Sequence, residues 1–101
     1  MITYQKKYQA KALDTIIVSG HSLFAEYGND IVCAAVSTAV IMTINAIETL
    51  GQKDRIKVKI ESGYVKIKVL KTSEIVDGLL RNLIYSLEDI KSQYPNNLKE
   101  E

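Results

Sequence analysis

Cysteine, histidine, proline and tryptophan are nearly missing from this 101-residue sequence, which has one Cys, one His, one Pro and no Trp. A single cysteine excludes an intramolecular disulfide, and one Cys with one His gives too few ligands for a closed zinc site. We therefore expect no metal. The formal charge of +1 gives no overall reason to expect nucleic acid or an anionic membrane as a partner. The opening MITYQKKYQ has no apolar stretch typical of a signal peptide, so we expect a cytoplasmic location.

Charge is lacking from one long segment as well. Residues 31–47 contain no charged side chain, and their number approaches the roughly 17–25 residues of a transmembrane helix. Polar groups such as Thr43 and Asn45 interrupt the segment, and no Lys or Arg cluster flanks it to orient it in a bilayer. We therefore predict a helix buried inside a protein, and no membrane partner.

Periodicity predicts two hairpins, each followed by a helix. The predicted elements are strands at 2–9 and 13–19, a helix at 29–50 ended by Gly51, strands at 55–61 and 64–70, and a helix that Ser73 caps and Pro95 ends. This order, β-β-α-β-β-α, predicts an α+β fold with an antiparallel sheet packed on a central apolar helix. We expect one domain at 1–95 and a frayed tail at 96–101.

The first predicted helix lacks a polar side. A helix that is apolar all round must be covered on more than one side, and a four-stranded sheet covers only one. A second subunit could cover the rest, so we predict a homodimer.

The only cysteine lies near the start of that helix. Cys33 would face unpaired backbone N–H groups and the positive end of the helix dipole, which favour the nucleophilic thiolate. His21, twelve residues earlier in a glycine-bounded loop, could fold back and accept its proton. Asp30 and Ser37 share the helical face of Cys33, so Asp30 could orient the imidazole and Ser37 could donate a hydrogen bond to a substrate.

Each of these residues also has an ordinary structural interpretation. A lone Cys in an apolar helix is most often a packing residue, and a lone His in a loop is usually solvated. Asp30 could merely complement the helix dipole, and Ser37 could bond the carbonyl one turn back. A thiol-based redox sensor is a third possibility, although the chain has no resolving cysteine. The pattern alone leaves these alternatives open.

A second candidate site is the basic hairpin 53–71, where seven basic residues oppose two acidic ones. Its lysines at 57, 59, 66 and 68 should share the polar face of the hairpin. Phosphate contacts to RNA need such a patch, but lysines on a solvated sheet face also prevent aggregation. The solvated face is the simpler interpretation, and a non-enzymatic ribosome- or RNA-associated module is the alternative function.

The residues around the cysteine also resemble a known family. Gly20 and His21, a loop ending at Gly28, and DIVCAAVS at 30–37 together resemble the signature of the ribosomal-processing cysteine protease family, Prp. The resemblance covers about 18 contiguous residues, and the β-β-α-β-β-α order agrees with that family's fold. Ser22 stands where the family more often has Ala, a small change beside the histidine.

The resemblance implies a cytoplasmic, homodimeric cysteine endopeptidase without a cofactor. Its substrate would be the precursor of large-subunit ribosomal protein twenty-seven, whose short hydrophobic N-terminal extension is removed by cutting after aromatic residues. By position, Cys33 would be the nucleophile and His21 the general base and acid. Gly20, Asp30 and Ser37 occupy the motif's other positions and would support catalysis or bind substrate. No membrane and no direct nucleic-acid partner is expected.

The loop between Gly20 and the helix carries its own hypothesis. Leu23, Phe24 and Tyr27 could fold over a hydrophobic peptide as a lid, with Gly28 near a hinge. The alternative is that these side chains simply anchor the loop to the core.

Overall fold

The computed structural model describes residues 1–20 and 30–101, with Asp30 described by its backbone only. Two hairpins, two long helices and a short C-terminal strand follow one another along the chain. The elements are β1 (Ile2–Gln9), β2 (Ala12–Ser19), α1 (Asp30–Thr49), a 3₁₀ turn (Lys53–Arg55), β3 (Ile56–Glu61), β4 (Tyr64–Val69), α2 (Glu74–Gln93) and β5 (Leu98–Glu100). The predicted α+β class and the six predicted elements are confirmed.

Both hairpins turn within two residues. Ser62 and Gly63 join β3 to β4, as predicted, and Gly63 has a φ of 71°. Ala10 and Lys11 join β1 to β2, and Ala10 adopts a φ of 57°, in the left-handed region that two-residue hairpin turns require. The register of β1 on β2 shifts between Lys7 and Tyr8, which marks a β-bulge.

The C-terminal tail does not fray, contrary to the prediction. Leu98–Glu100 forms β5, which pairs in parallel with β1, and the Leu98 side chain is fully buried. The Ile2 N–H donates to the Asn97 carbonyl, and the Glu101 N–H donates to the Tyr4 carbonyl. The sheet therefore has five strands in the order β3-β4-β2-β1-β5, and the domain extends past residue 95.

Both helices pack on one face of this sheet. On α1 the buried residues Val32, Val36, Val40 and Ile47 recur at helical spacing and join the core formed by the sheet and α2. Ser73 caps α2 as predicted, because its hydroxyl oxygen accepts a hydrogen bond from the Val76 N–H at 3.1 Å.

Helix α1 is also long and apolar enough to cross a membrane by length and composition alone, with a mean hydropathy of 1.8 over Ile31–Thr49. Packing accounts for part of the same composition, since 28% of this segment is buried inside the protein. One side of α1 lies in the core, and the hydroxyl of buried Thr43 donates to the Ala39 carbonyl at 2.8 Å. This local hydrogen bond satisfies a polar group that burial would otherwise penalise.

Candidate active site

Cys33 is the fourth residue of α1, where the sequence predicts it to lie. The N–H groups of a helix's first turn have no partner within the helix, so Cys33 stands at the positive end of the α1 dipole. Its side chain is half-buried and packs against the core, and its thiol is free. Cys33 therefore packs against the core and is also partly accessible, so its burial is compatible with a packing role and with a nucleophilic one.

Asp30 and Ser37 flank Cys33 along the helix. Asp30 is the first residue of α1, and Ser37 follows Cys33 by one turn and is half-buried. Residues four apart lie on the same face of a helix, so the backbone places Ser37 on the face of Cys33.

Gly20 directly follows β2 and contacts the turn of the second hairpin. Its N–H donates to the Gly63 carbonyl at 2.9 Å, and its φ is 87°. A Cβ at this position would overlap the carbonyl oxygen of Met1. A glycine is therefore required here by conformation and by space, in addition to any role that it has in supporting catalysis.

The remaining predicted site residues lie outside the described parts of the chain. They are His21 and the four lid residues Leu23, Phe24, Tyr27 and Gly28. The pairing of Cys33 with His21 and the lid hypothesis therefore stay predictions.

The β3–β4 turn and the N-terminal half of α1 meet at the end of the sheet where Gly20 lies. Ser37, Ser62 and Gly63 line one cavity of about 220 Å³, and the Gly20–Gly63 hydrogen bond ties the end of β2 to the same turn. Sequence analysis does not assign Ser62 or Gly63 to the site. Their only signal is a hairpin turn, which reveals a change of direction but not the element that lies beside it.

Sequence analysis also misses the apolar wall of this cavity. Alternation in β3 places Ile60 on one apolar face with Ile56 and Val58, yet 68% of Ile60 is exposed. The reason is that β3 is an edge strand, and α1 does not cover its last residues. Ile60 and Ile41 therefore border an open apolar space beside Ser37.

The basic face is a separate surface. Lys57 pairs directly with Lys68, and Lys59 with Lys66, on the sheet face opposite the two helices, as predicted. The Lys68 ammonium lies 2.6 Å from Asp14, and this hydrogen bond holds the pKa of the Asp14 carboxyl below its ordinary value. Within residues 1–20 and 30–101, no three His, Cys, Asp or Glu side chains are grouped so that they could hold a metal.

Comparison with known proteins adds the chemistry. The sequence profile of the family described as Cysteine protease Prp matches residues 1–99. The ribosomal processing cysteine protease Prp of Bacillus subtilis is 30% identical over 95 residues, which are 88% of this chain and 85% of that protein.

Two crystal structures share the fold over nearly the whole chain. SMU.848 from Streptococcus mutans matches with a TM-score of 0.87 and 28% identity, covering 100% of this chain and 92% of that one. The essential ribosomal processing protease Prp from Staphylococcus aureus, in complex with a covalently linked product peptide, matches with a TM-score of 0.85 and 27% identity, covering 99% and 97% of the two chains. With the family profile matching residues 1–99, the chain belongs to the cysteine protease Prp family and is a cysteine peptidase.

Proposed function

We propose that this protein is an endopeptidase that removes the short hydrophobic N-terminal extension of large-subunit ribosomal protein twenty-seven, cutting after aromatic residues. The curated relatives carry ribosomal processing in their names, which supports a ribosomal protein as substrate. One observation carries the assignment of the nucleophile. A cysteine peptidase needs a cysteine, and Cys33 is the only cysteine in the sequence.

The position of Cys33 suits that role. The N-terminal dipole of α1 favours the thiolate and would also stabilise the oxyanion formed when the thiolate attacks a peptide carbonyl. Half-burial limits the water around Cys33 and leaves the residue partly accessible. The covalently linked product peptide of the Staphylococcus aureus protease is the kind of species that nucleophilic catalysis produces.

The proposed reaction has two halves, in both of which His21 moves the proton. His21 accepts the thiol proton, the Cys33 sulfur bonds to the scissile carbonyl carbon, and the carbon–nitrogen bond breaks as His21 protonates the leaving amine. Water then attacks the thioester carbonyl carbon while His21 takes a proton from the water. The carbon–sulfur bond breaks, and the thiol is restored with that proton. Asp30 would orient the imidazole, and Ser37 would donate a hydrogen bond to the substrate.

A mass-spectrometric cleavage assay tests this proposal. The protein, with its Cys33 thiol kept reduced, is incubated with a peptide that spans the N-terminal extension of its host's ribosomal protein twenty-seven. We expect a single cut after an aromatic residue, which Cys33→Ala abolishes and His21→Ala slows by about 10³-fold or more. Exposed Tyr85, on the outside of α2, supplies the control Tyr85→Ala, which should cleave at the parent rate. Parent-rate cleavage by Cys33→Ala would refute the assignment.

We also infer a cytoplasmic homodimer, in which the outer face of α1 supplies the contact. Ile31 and Met42 are 62% and 66% exposed, and α1 has no charged residue between Asp30 and Glu48. Beside them, small residues line a groove of about 570 Å³ between α1 and α2. Light scattering should show a dimer that Met42→Glu dissociates and that Leu70→Glu, at another exposed apolar position, leaves intact.

The basic sheet face supports RNA binding as a second candidate function. Like charges directly opposite on neighbouring strands are destabilising, and the lysine pairs 57–68 and 59–66 form two such rungs side by side. Asp14 pairs with Lys68 and Glu61 with Lys59, so phosphates would neutralise the charge that remains on Lys57 and Lys66. Changing all four lysines to Gln should then weaken binding to single-stranded RNA and reduce its salt dependence, while Cys33→Ala should change neither. Equal RNA affinity of the parent and the Gln variant would exclude this candidate.

A further inference from the structure

An apolar groove runs along α1 on the side that faces β3. It consists of two adjoining cavities, of about 220 Å³ and about 400 Å³, which share Ile44 and Ile60. Ser37 lies at one end of the groove and Glu48 at the other. Eleven helical residues at about 1.5 Å each separate these two, so the groove is roughly 16 Å long. An extended chain of about five residues has that length.

The groove begins one helical turn from Cys33. Positions 33, 37 and 44 fall on one face of α1, since seven residues make nearly two turns. This face is distinct from the outer face, which carries Met42. A peptide whose scissile bond lies at Cys33 and whose chain continues along α1 would therefore pass directly into the groove.

The chemistry of the groove selects apolar side chains. Its middle is lined by Ile41, Ile44, Val58 and Ile60, without a charged group among them. The charged residues lining the groove are Glu48 and Lys53 in the far cavity and Glu61 in the near cavity, where the hydroxyls of Ser37 and Ser62 also lie. Glu61 is paired with Lys59 at 3.4 Å. Hydrocarbon walls stabilise a bound apolar side chain by removing its surface, and theirs, from water.

The strand beside the groove suits an extended ligand. Strand β3 is at the edge of the sheet and pairs only with β4 among the described strands. An extended peptide can add to such an edge, with its main chain hydrogen-bonded to the strand and alternate side chains in pockets. Ile60, 68% exposed on β3, would then be covered by the bound peptide.

We propose that the α1–β3 groove is the specificity subsite of this peptidase, binding the apolar side chains of an extended substrate segment next to the scissile bond. The proposal rests on the proposed function of Cys33. Its supporting observations are the continuity of the groove with the Cys33 face, its length, its apolar lining and the free edge of β3. It assigns Ile60, Ile44 and Val58 as residues that determine specificity.

The test measures kcat/KM for the extension peptide and for peptides in which each apolar residue in turn is replaced by Ser. Ile60→Thr keeps a β-branched residue in the strand and removes part of the apolar wall. Its matched control is Ile75→Thr, since Ile75 is exposed on the first turn of α2. We expect kcat/KM to fall about ten-fold in Ile60→Thr, which corresponds to about 1.4 kcal/mol, and to stay unchanged in the control. Circular dichroism confirms that both variants are folded, and Val58→Thr serves as a second groove variant.

The decisive result is a coupling between protein and peptide. If an apolar peptide residue occupies the groove, its replacement by Ser should cost the parent more than it costs Ile60→Thr, whereas unrelated peptide positions should cost both equally. Equal costs at every peptide position would overturn the subsite while leaving the cleavage activity, and so the proposed function, in place. If Ile60→Thr converts a dimer to a monomer in light scattering, the groove is a contact between copies and the proposal fails. If Cys33→Ala cleaves like the parent, the proposed function fails, and the subsite with it.

Discussion

Gly20 allows the sharpest quantitative prediction, because two independent features of the structure exclude a side chain there. Its φ of 87° lies in a region that costs a residue with a Cβ about 1–2 kcal/mol. The new Cβ would also overlap the carbonyl oxygen of Met1 and lie 3.3 Å from its carbonyl carbon. That backbone cannot move aside freely, since the Ile2 N–H is bonded to the Asn97 carbonyl and Thr3 pairs with Ser19.

The expected cost of Gly20→Ala is the sum of these effects. Forcing atoms into an occupied space costs about 1–3 kcal/mol, so the total is about 2–5 kcal/mol. A domain of this size has a free energy of unfolding of about 5–15 kcal/mol, and each kcal/mol lost lowers Tm by about 4–8 °C. Gly20→Ala should therefore lower Tm by about 8 °C or more. Gly20 directly precedes His21, so a shift of the Gly20 backbone should also reduce peptide cleavage.

Thermal unfolding followed by circular dichroism measures this cost, and Gly51 supplies the matched control. Gly51 ends α1 with a φ of 76°, but, apart from its chain neighbours, no atom of residues 1–20 and 30–101 lies within 4 Å of the position of a Cβ. Gly51→Ala should therefore suffer only the conformational cost of about 1–2 kcal/mol. The difference between the two variants measures the overlap with Met1. If both variants lose the same stability, the close approach of Gly20 to Met1 is not what requires the glycine.

Three further predictions concern stability, each measured by urea unfolding. Gly78 lies inside α2, and, apart from its neighbours along the helix, none of the described residues comes within 4 Å of the position of a Cβ there, so Gly78→Ala should stabilise the fold by about 0.5–1 kcal/mol, and any loss would contradict this. Leu98→Ala should cost about 2–5 kcal/mol, whereas a frayed tail would cost nothing. The hydrogen bond from Arg81, and then that from the Leu13 N–H, holds the pKa of Asp77 below its ordinary 3.8. The lowered pKa means that Asp77 contributes stability above about pH 4 and loses it as the pH falls through the folded-state pKa; Asp77→Asn should flatten that dependence.

Local patterns predict most of the fold because they depend on few neighbours. The Ser62–Gly63 turn, the Ser73 cap and the alternation of Lys57 and Lys59 with apolar residues each specify structure within one or two turns of chain. The first turn of α1 is predicted in the same way. Cys33 can therefore be assigned to a helix start from the residues around it alone.

The predictions that failed depended on contacts between distant segments. Strand β5 has three residues, too few to show a period, and it exists because Leu98 is buried and its backbone pairs with β1. The alternation of Val58 and Ile60 shows which face of β3 is apolar, but it does not show that Ile60 has no helix above it. The pairing of His21 with Cys33, which stays a prediction, also depends on a contact between distant segments, since a loop must return to a helix.

The absence of charge from α1 is visible in the local sequence, but its explanation depends on contacts with distant segments. A soluble helix with one side in the core needs about a third of its circumference apolar, yet α1 carries no charged residue between Asp30 and Glu48. Its structure gives each side a separate contact. Val36 and its neighbours face the sheet, Ser37 and Ile44 face the open groove, and Met42 lies on the exposed outer face. Charge on the groove side would weaken binding of an apolar peptide beside Cys33. Charge on the outer face would oppose contact with a second subunit. The feature that resembles a membrane span in sequence is therefore accounted for by a core, a proposed subsite and a proposed dimer contact on one helix.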